Sequence, residues 1–192
     1  MSKFFASIEP QHRDFIEKQR LFFVASAASG ARVNVSPKSA DTLRLIDERS
    51  AVYIDRTGSG NETAAHMRAD GRLTFMFCAL DGAPLILRLY GRGRALARGG
   101  EDYARLLRSA FGGAEPPGAR QMILLDVESV QTSCGFAVPL YDYAGERDGL
   151  DRWAASKGED ALDAYRREKN RQSIDGLPTG LFEDENLAAE EA

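Results

Sequence analysis

Arg32-Val-Asn-Val-Ser-Pro-Lys38 and Tyr53-Ile-Asp-Arg-Thr-Gly-Ser-Gly-Asn-Glu-Thr63 each begin as a strand and end in a polar cluster. In the first, valines alternate with polar residues, the period of a strand with two unlike faces. That cluster presents a cation and hydroxyls. The second presents hydroxyls, glycines and an amide. About 20 residues separate the two, so they can converge on one anion at the ends of neighbouring strands. A phosphate held by Lys38, Arg32, Ser59 and backbone N–H groups suits this chemistry.

The sequence around these clusters predicts hairpins. Residues 21–27 (LFFVASA) are an apolar run suited to a buried strand. Ala28-Ser-Gly30 is a turn, and residues 31–36 return as the second strand, which Pro37 ends. Residues 40–47 read as a short helix or turn, and 51–55 as a third strand. After the Thr57-Gly-Ser-Gly60 loop, a helix runs to about Ala69. Ser59 and Asn61 are both good N-cap residues, and capping is compatible with binding an anion at the same helix start. Residues 72–79 and 84–97 are long strands joined at Asp81-Gly82, a strong hairpin signal. Gly91 and Gly93 mark a bend or bulge in the second of them. Residues 101–110 read as a helix, 120–131 as a late strand, and 147–157 and 159–171 as two polar helices. Before the first strand, residues 10–20 read as an opening helix with Pro10 in its first turn. About six strands arriving as hairpins favour an antiparallel barrel over a doubly wound sheet.

The 192-residue length suffices for one domain with a real core. A net charge of −4 argues against nucleic acid as a partner. The charge is uneven. Residues 1–100 carry 15 Lys and Arg against 10 Asp and Glu, whereas residues 101–192 carry 10 against 19. The basic half holds both polar clusters, which suits an anionic small ligand. Cys78 and Cys134 lie in apolar contexts and read as two buried thiols in a reducing, cytoplasmic setting. His12 and His66 are the only histidines and lie in no ligand-spaced motif, so no metal site is expected. No run of 18 apolar residues suggests a membrane span.

Taken in order, these motifs resemble the pyridoxamine 5′-phosphate oxidase-like family, the FMN-binding split barrels. The resemblance rests on the RVNVSPK hairpin, the DRTGSGNET strand-loop-helix, the FMF hairpin and the late barrel strand. It continues through Cys134-Gly-Phe-Ala-Val-Pro139, Tyr143, Arg147, Leu150, Trp153 and Asn170-Arg-Gln-Ser-Ile-Asp-Gly-Leu-Pro178, which resemble one subgroup. The fold it implies is mainly β (α+β): a six-stranded antiparallel split β-barrel with flanking short helices and a helical C-terminal segment. Residues 1–20 would form an N-terminal helical segment, 21–143 the barrel, and 144–192 C-terminal helices and an acidic tail packed on it, within a single domain.

The resemblance also implies a homodimer with FMN at the subunit interface. Val33, Asn34 and Val35 would run along the flavin ring. Arg32, Ser36 and Lys38 would lie near the ring and phosphate, with Arg32 and Lys38 as electrostatic partners. Thr57, Gly58, Ser59, Gly60, Asn61 and Thr63 would form the phosphate nest. Where the oxidase proper carries a Ser-Arg-Lys run, this chain has Ser59-Gly60-Asn61. Two phosphate-pairing cations are absent, and each lost charge-assisted bond is worth about 1.5–3 kcal/mol. The function implied is an FMN-dependent oxidoreductase passing electrons from a small-molecule donor to oxygen or a small organic acceptor. No side chain is assigned a catalytic role. The alternative is a non-catalytic flavin, haem or deazaflavin binding protein on the same barrel. Phe75, Met76 and Phe77 read as core or dimer interface. Trp153 is a packing anchor or a flavin cover, and Asp126 and Glu128 an exposed edge. His66 lies near the cofactor or on the surface. The SIDGLP segment has turn chemistry but no assigned function.

Overall fold

The computed structural model describes residues 2–182, and the acidic tail beyond them lies outside the described residues. The chain order is β1 (Lys3–Phe5), α1 (Pro10–Glu17), β2 (Leu21–Ala27), β3 (Asn34–Ser39), a 3-10 turn (Ala40–Thr42), β4 (Leu43–Leu45) and β5 (Ser50–Arg56). Then follow α2 (Glu62–Ala69), β6 (Arg72–Cys78), β7 (Ile86–Ala97), α3 (Glu101–Phe111), β8 (Ala119–Ser133) and α4 (Gly149–Lys169). Gly158 leaves helical geometry inside α4, at φ 72° and ψ 165°. The two polar helices expected on either side of residue 158 are therefore both present, meeting at that kink.

All strand pairs are antiparallel, in the order β3-β2-β6-β7-β8-β5-β4, with β1 added to β8. The 15-residue β8 pairs with β7 over nearly its whole length. On its other edge its first half pairs with β5 and its far end with β1. One strand thus belongs to two sheet halves, which curls the sheet into a split barrel. The bend is built at Gly91. Tyr90 faces Ser129 but Gly91 faces Val127, leaving Glu128 as the extra residue of a bulge. A Cβ on Gly91 would fall 1.9 Å from the Asp126 carbonyl oxygen, so only glycine fits.

The core follows from strand alternation. Phe22, Val24, Tyr53, Phe75, Phe77 and Leu89 fill the barrel interior. Val52 and Ile54 on the reverse face of β5 pack with Met122 and Leu124 of β8, under Tyr103 and Leu106 of α3. Burial on both faces explains why residues 51–54 of β5 and 122–125 of β8 are apolar without alternation.

Three expectations need correction. There are eight strands among the described residues, not six, because β1 and β4 are three-residue strands too short to show a period. Pro37 does not end its strand. β3 has no second strand neighbour among the described residues, and an edge strand tolerates a missing N–H. Cys134 is exposed just past the end of β8, and Cys78 is half-buried, so neither is a core thiol.

Candidate functional site

Alternation along β3 sets two faces. Asn34, Ser36 and Lys38 point back over the barrel and are half-buried, whereas Val33, Val35 and Pro37 are exposed. Val33 and Val35 are 70% and 61% exposed, high for aliphatic side chains. Pro37 pairs opposite Phe23 of β2. A proline fits a ladder only where its nitrogen faces away from the partner strand. The main-chain groups of Val35, two residues earlier, therefore also point out along the free edge.

The two polar clusters meet through Asn34. Its Nδ2 donates to Thr63 Oγ1 at 3.1 Å and to Ser26 Oγ at 3.2 Å. Ser36 Oγ donates to Asn34 Oδ1 at 3.0 Å. Ser26 Oγ also lies 3.0 Å from His66 Nδ1. His66 is fully buried on α2, so it is not a surface histidine, and its Nε2 has no hydrogen-bond partner. The Tyr53 hydroxyl is likewise buried without a partner. Burial first, then the Asp55 carboxylate, pushes that hydroxyl well above its usual pKa.

Beneath the clusters sits a buried ionic hub. Asp55 Oδ1 accepts from Lys38 Nζ at 2.9 Å. Its Oδ2 accepts from Arg120 Nε at 2.8 Å and from Gln121 Nε2 at 2.9 Å. Burial alone would raise the Asp55 pKa. Arg120 and Lys38 outweigh it, with the hydrogen bonds from Lys38 and Gln121, and hold the carboxyl far below the usual carboxylate range. Lys38 also lies 5.4 Å from the centre of the Tyr53 ring. Its charge is shared with Asp55 and is not free for a ligand alone.

The 57–63 loop is largely occupied by the chain itself. Thr57 Oγ1 donates to the Gly118 carbonyl at 2.9 Å and accepts from Arg166 Nε at 2.8 Å. The Gly58 carbonyl accepts from Asn170 Nδ2 at 3.0 Å. Asn61 Oδ1 accepts from Gln121 Nε2 at 2.7 Å, and its Nδ2 donates to the Asn170 carbonyl. Asn61 sits at the start of α2 but does not cap it with its side chain. Ser59 and Gly60 remain exposed. Asn170 is fully buried and also accepts from Arg120 at 2.8 Å. The SIDGLP segment is thereby placed. It lies over the loop, with Ile174 N–H donating to Glu62 and Asp175 pairing with Arg32.

Beyond the Lys38 end of β3 opens a cleft of about 820 Å³. Pro37, Lys38 and Arg56 line one side, and Tyr141, Tyr143 and Arg147 the other. Arg56 pairs with Asp151 at its rim. Away from the site, Phe75 and Phe77 are core residues, Trp153 packs edge-on against Tyr165, and Asp126 and Glu128 are exposed.

The sequence reading missed Ser26, Asp55, Arg120, Gln121, Arg166 and Asn170. Asp55 carried a signal: it follows Ala51 and Tyr53 at inward-facing parity, where a lone carboxylate needs a cation. Arg120 and Gln121 open an otherwise apolar strand, which is a similar mark.

A family model described as pyridoxamine 5′-phosphate oxidase matches residues 8–134. The pyridoxamine 5′-phosphate oxidase family protein ustO of Aspergillus flavus is 37% identical over 196 residues, covering 93% of this chain and 78% of the fungal protein. Among solved structures, a point variant of HupZ from Group A Streptococcus is similar with a TM-score of 0.54 at 21% identity, over 66% of this chain and 99% of that one. A protein described as a putative pyridoxamine 5′-phosphate oxidase from Lactobacillus delbrueckii is similar with a TM-score of 0.51 at 14% identity, over 66% of this chain and 94% of that one. At these identities the two structures speak to the fold alone.

Proposed function

Because the chain belongs to the pyridoxamine 5′-phosphate oxidase family, we propose that it is an FMN-dependent oxidoreductase working as a homodimer. The observation that carries this reading is the Asn34–Thr63 hydrogen bond, which brings the two polar clusters to one place beside an open strand edge. The residues fit a flavin there in chemistry. The outward main chain of Val35 offers donors and acceptors to the polar edge of the ring. The exposed valines offer it an apolar face. For the phosphate, exposed Ser59 and Gly60 would offer a hydroxyl and main-chain N–H groups, with Arg32, now paired with Asp175, as the cation. Thr57, Asn61 and Thr63 act as supports: their side chains hold the loop's shape.

Bound there, FMN supplies two-electron transfer between a reductant, such as a reduced nicotinamide, and oxygen or a small organic acceptor. The chain's own part is binding and orientation. Asn34, fixed by Thr63, Ser26 and Ser36, keeps the ring-side strand in register with the phosphate loop. Lys38 and Arg120 share the one Asp55 carboxylate, which leaves a net positive charge beside the ring-side strand. The cleft beyond Lys38 admits the donor or acceptor. Hydride transfer to a flavin needs no acid or base from the protein. A second subunit would cover Val33 and Val35 and complete the groove. Neither histidine suits haem ligation at this edge. His12 Nδ1 accepts from the Glu9 main chain, and His66 lies buried behind Ser26.

An absorbance spectrum of the purified protein, before and after adding FMN and desalting, tests the reading. Retained flavin bands, with a light-scattering mass near twice 21.1 kDa, are expected. A colourless monomer after FMN addition would overturn it.

A further inference from the structure

Asp175 has no part in the function just described, yet it occupies the mouth between the two clusters. Residues 172–178 form a closed turn. Gln172 bridges Pro178, and Ser173 N–H donates to the Leu177 carbonyl at 2.9 Å. Gly176 takes φ +80°, which lets the chain reverse. The base of the turn is anchored by buried Asn170, whose carbonyl accepts from Thr179 Oγ1 at 2.7 Å. The tip then spans both clusters. On one side, Ile174 N–H donates to the two Glu62 carboxylate oxygens at 3.0 and 3.2 Å. On the other, the Asp175 carboxylate accepts from the Arg32 main-chain N–H at 2.7 Å and pairs with the Arg32 guanidinium.

We propose that Asp175 is a specificity-determining counter-ion: it holds Arg32 until a ligand phosphate displaces it, and so sets how strongly the site favours phosphate-bearing over uncharged ligands. The identity of that ligand rests on the flavin reading above. The Arg32 side chain is 71% exposed, while Asp175 is only 15% exposed. The carboxylate is therefore positioned by the turn, and the guanidinium is free to turn toward solvent. A pair with one exposed member is weak and screened by salt. A phosphate offers more acceptor oxygens and more charge, and competes well for the same guanidinium. The strap thus taxes anion binding at one residue and leaves contacts to the rest of the ligand alone.

The test uses the full chain and its Asp175→Asn variant. Pyrophosphate binding is followed by calorimetry, and FMN and riboflavin binding by flavin fluorescence, all at low salt. Asp175→Asn should bind pyrophosphate and FMN up to about fivefold tighter than the parent, with riboflavin unchanged. The gain should vanish when Arg32→Ala is added. Asp175→Ser serves if the asparagine variant fails to fold. Pyrophosphate binding that is absent, equal or weaker in the variant overturns the proposal. That result would make the turn a structural latch alone. Tighter pyrophosphate binding with no flavin bound by either protein would leave the strap standing and sink the flavin reading. Equal flavin binding with pyrophosphate unmoved would do the reverse.

Discussion

The two clusters look alike in sequence and differ in the folded chain. The first, on β3, keeps an open edge: its valines are exposed and its strand has no outer neighbour among the described residues. The second, from Thr57 to Thr63, is mostly turned inward. Its side chains hold Gly118, Arg166, Gln121, Asn170 and Asn34. Polar residues in a glycine-rich loop are thus no measure of how many remain for a ligand. Most buried hydroxyls and amides are hydrogen-bonded, and the nearest partners are the protein's own. The loop is a rim tied to the chain by its own hydrogen bonds, and the strand edge is the open surface beside it.

The sharpest way to break this contrast is to remove the hub under both clusters. Asp55→Asn leaves Arg120 and Lys38 without their shared carboxylate. Removing one partner of a buried ion pair costs about 3–5 kcal/mol. Urea unfolding should show a midpoint lowered accordingly. The pH dependence has a definite sign. A carboxyl whose folded pKa lies far below its unfolded value, about 3.9, stabilises the fold above that value. The stability drains away as pH falls further. The parent should therefore lose stability steeply below about pH 4, and Asp55→Asn should show a shallower acid slope. An unchanged midpoint would mean that the hub does not hold the site.

A smaller effect is expected from the roof. Asn170→Ala removes the acceptor of an Arg120 N–H and the donor to the Gly58 carbonyl. Leaving such buried groups unpaired costs about 1–3 kcal/mol. The melting temperature should fall, and limited proteolysis should cut between residues 171 and 182 sooner than in the parent. If cutting is no faster, the turn is held by its Glu62 and Arg32 contacts instead.

These differences show what the sequence could carry. Hairpins, the β3 face and the Gly91 bulge were legible because each follows from local rules: alternation, turn residues, and a glycine inside a strand. Membership of a split barrel was legible from motif order. The two three-residue strands were not, since three residues display no period. Nor was the use of Asn61, which an N-cap reading assigned to its own helix. Its partners, Gln121 and Asn170, lie 60 and 109 residues away and meet it only in the fold. Asn170 and Asp175 were invisible for the same reason. A turn motif announces its shape but not the surface it will cover.

The smallest change sharpens the comparison most. Ser59 is the one hydroxyl of the second cluster that is exposed rather than buried. Ser59→Ala removes no buried partner, so its effect on stability should lie within about 0.5 kcal/mol. If the loop holds a phosphate, the same change removes one neutral hydrogen bond to it, worth about 0.5–1.5 kcal/mol. FMN should then bind up to about tenfold more weakly, while riboflavin, which lacks the phosphate, binds as before. Thr57→Ala makes the natural control, because its hydroxyl is buried between Gly118 and Arg166. That variant should lose stability first and discriminate poorly between the two flavins. Were Ser59→Ala to weaken both flavins equally, the exposed end of the loop would face the ring rather than the phosphate, and the anion would have to be sought closer to Arg32.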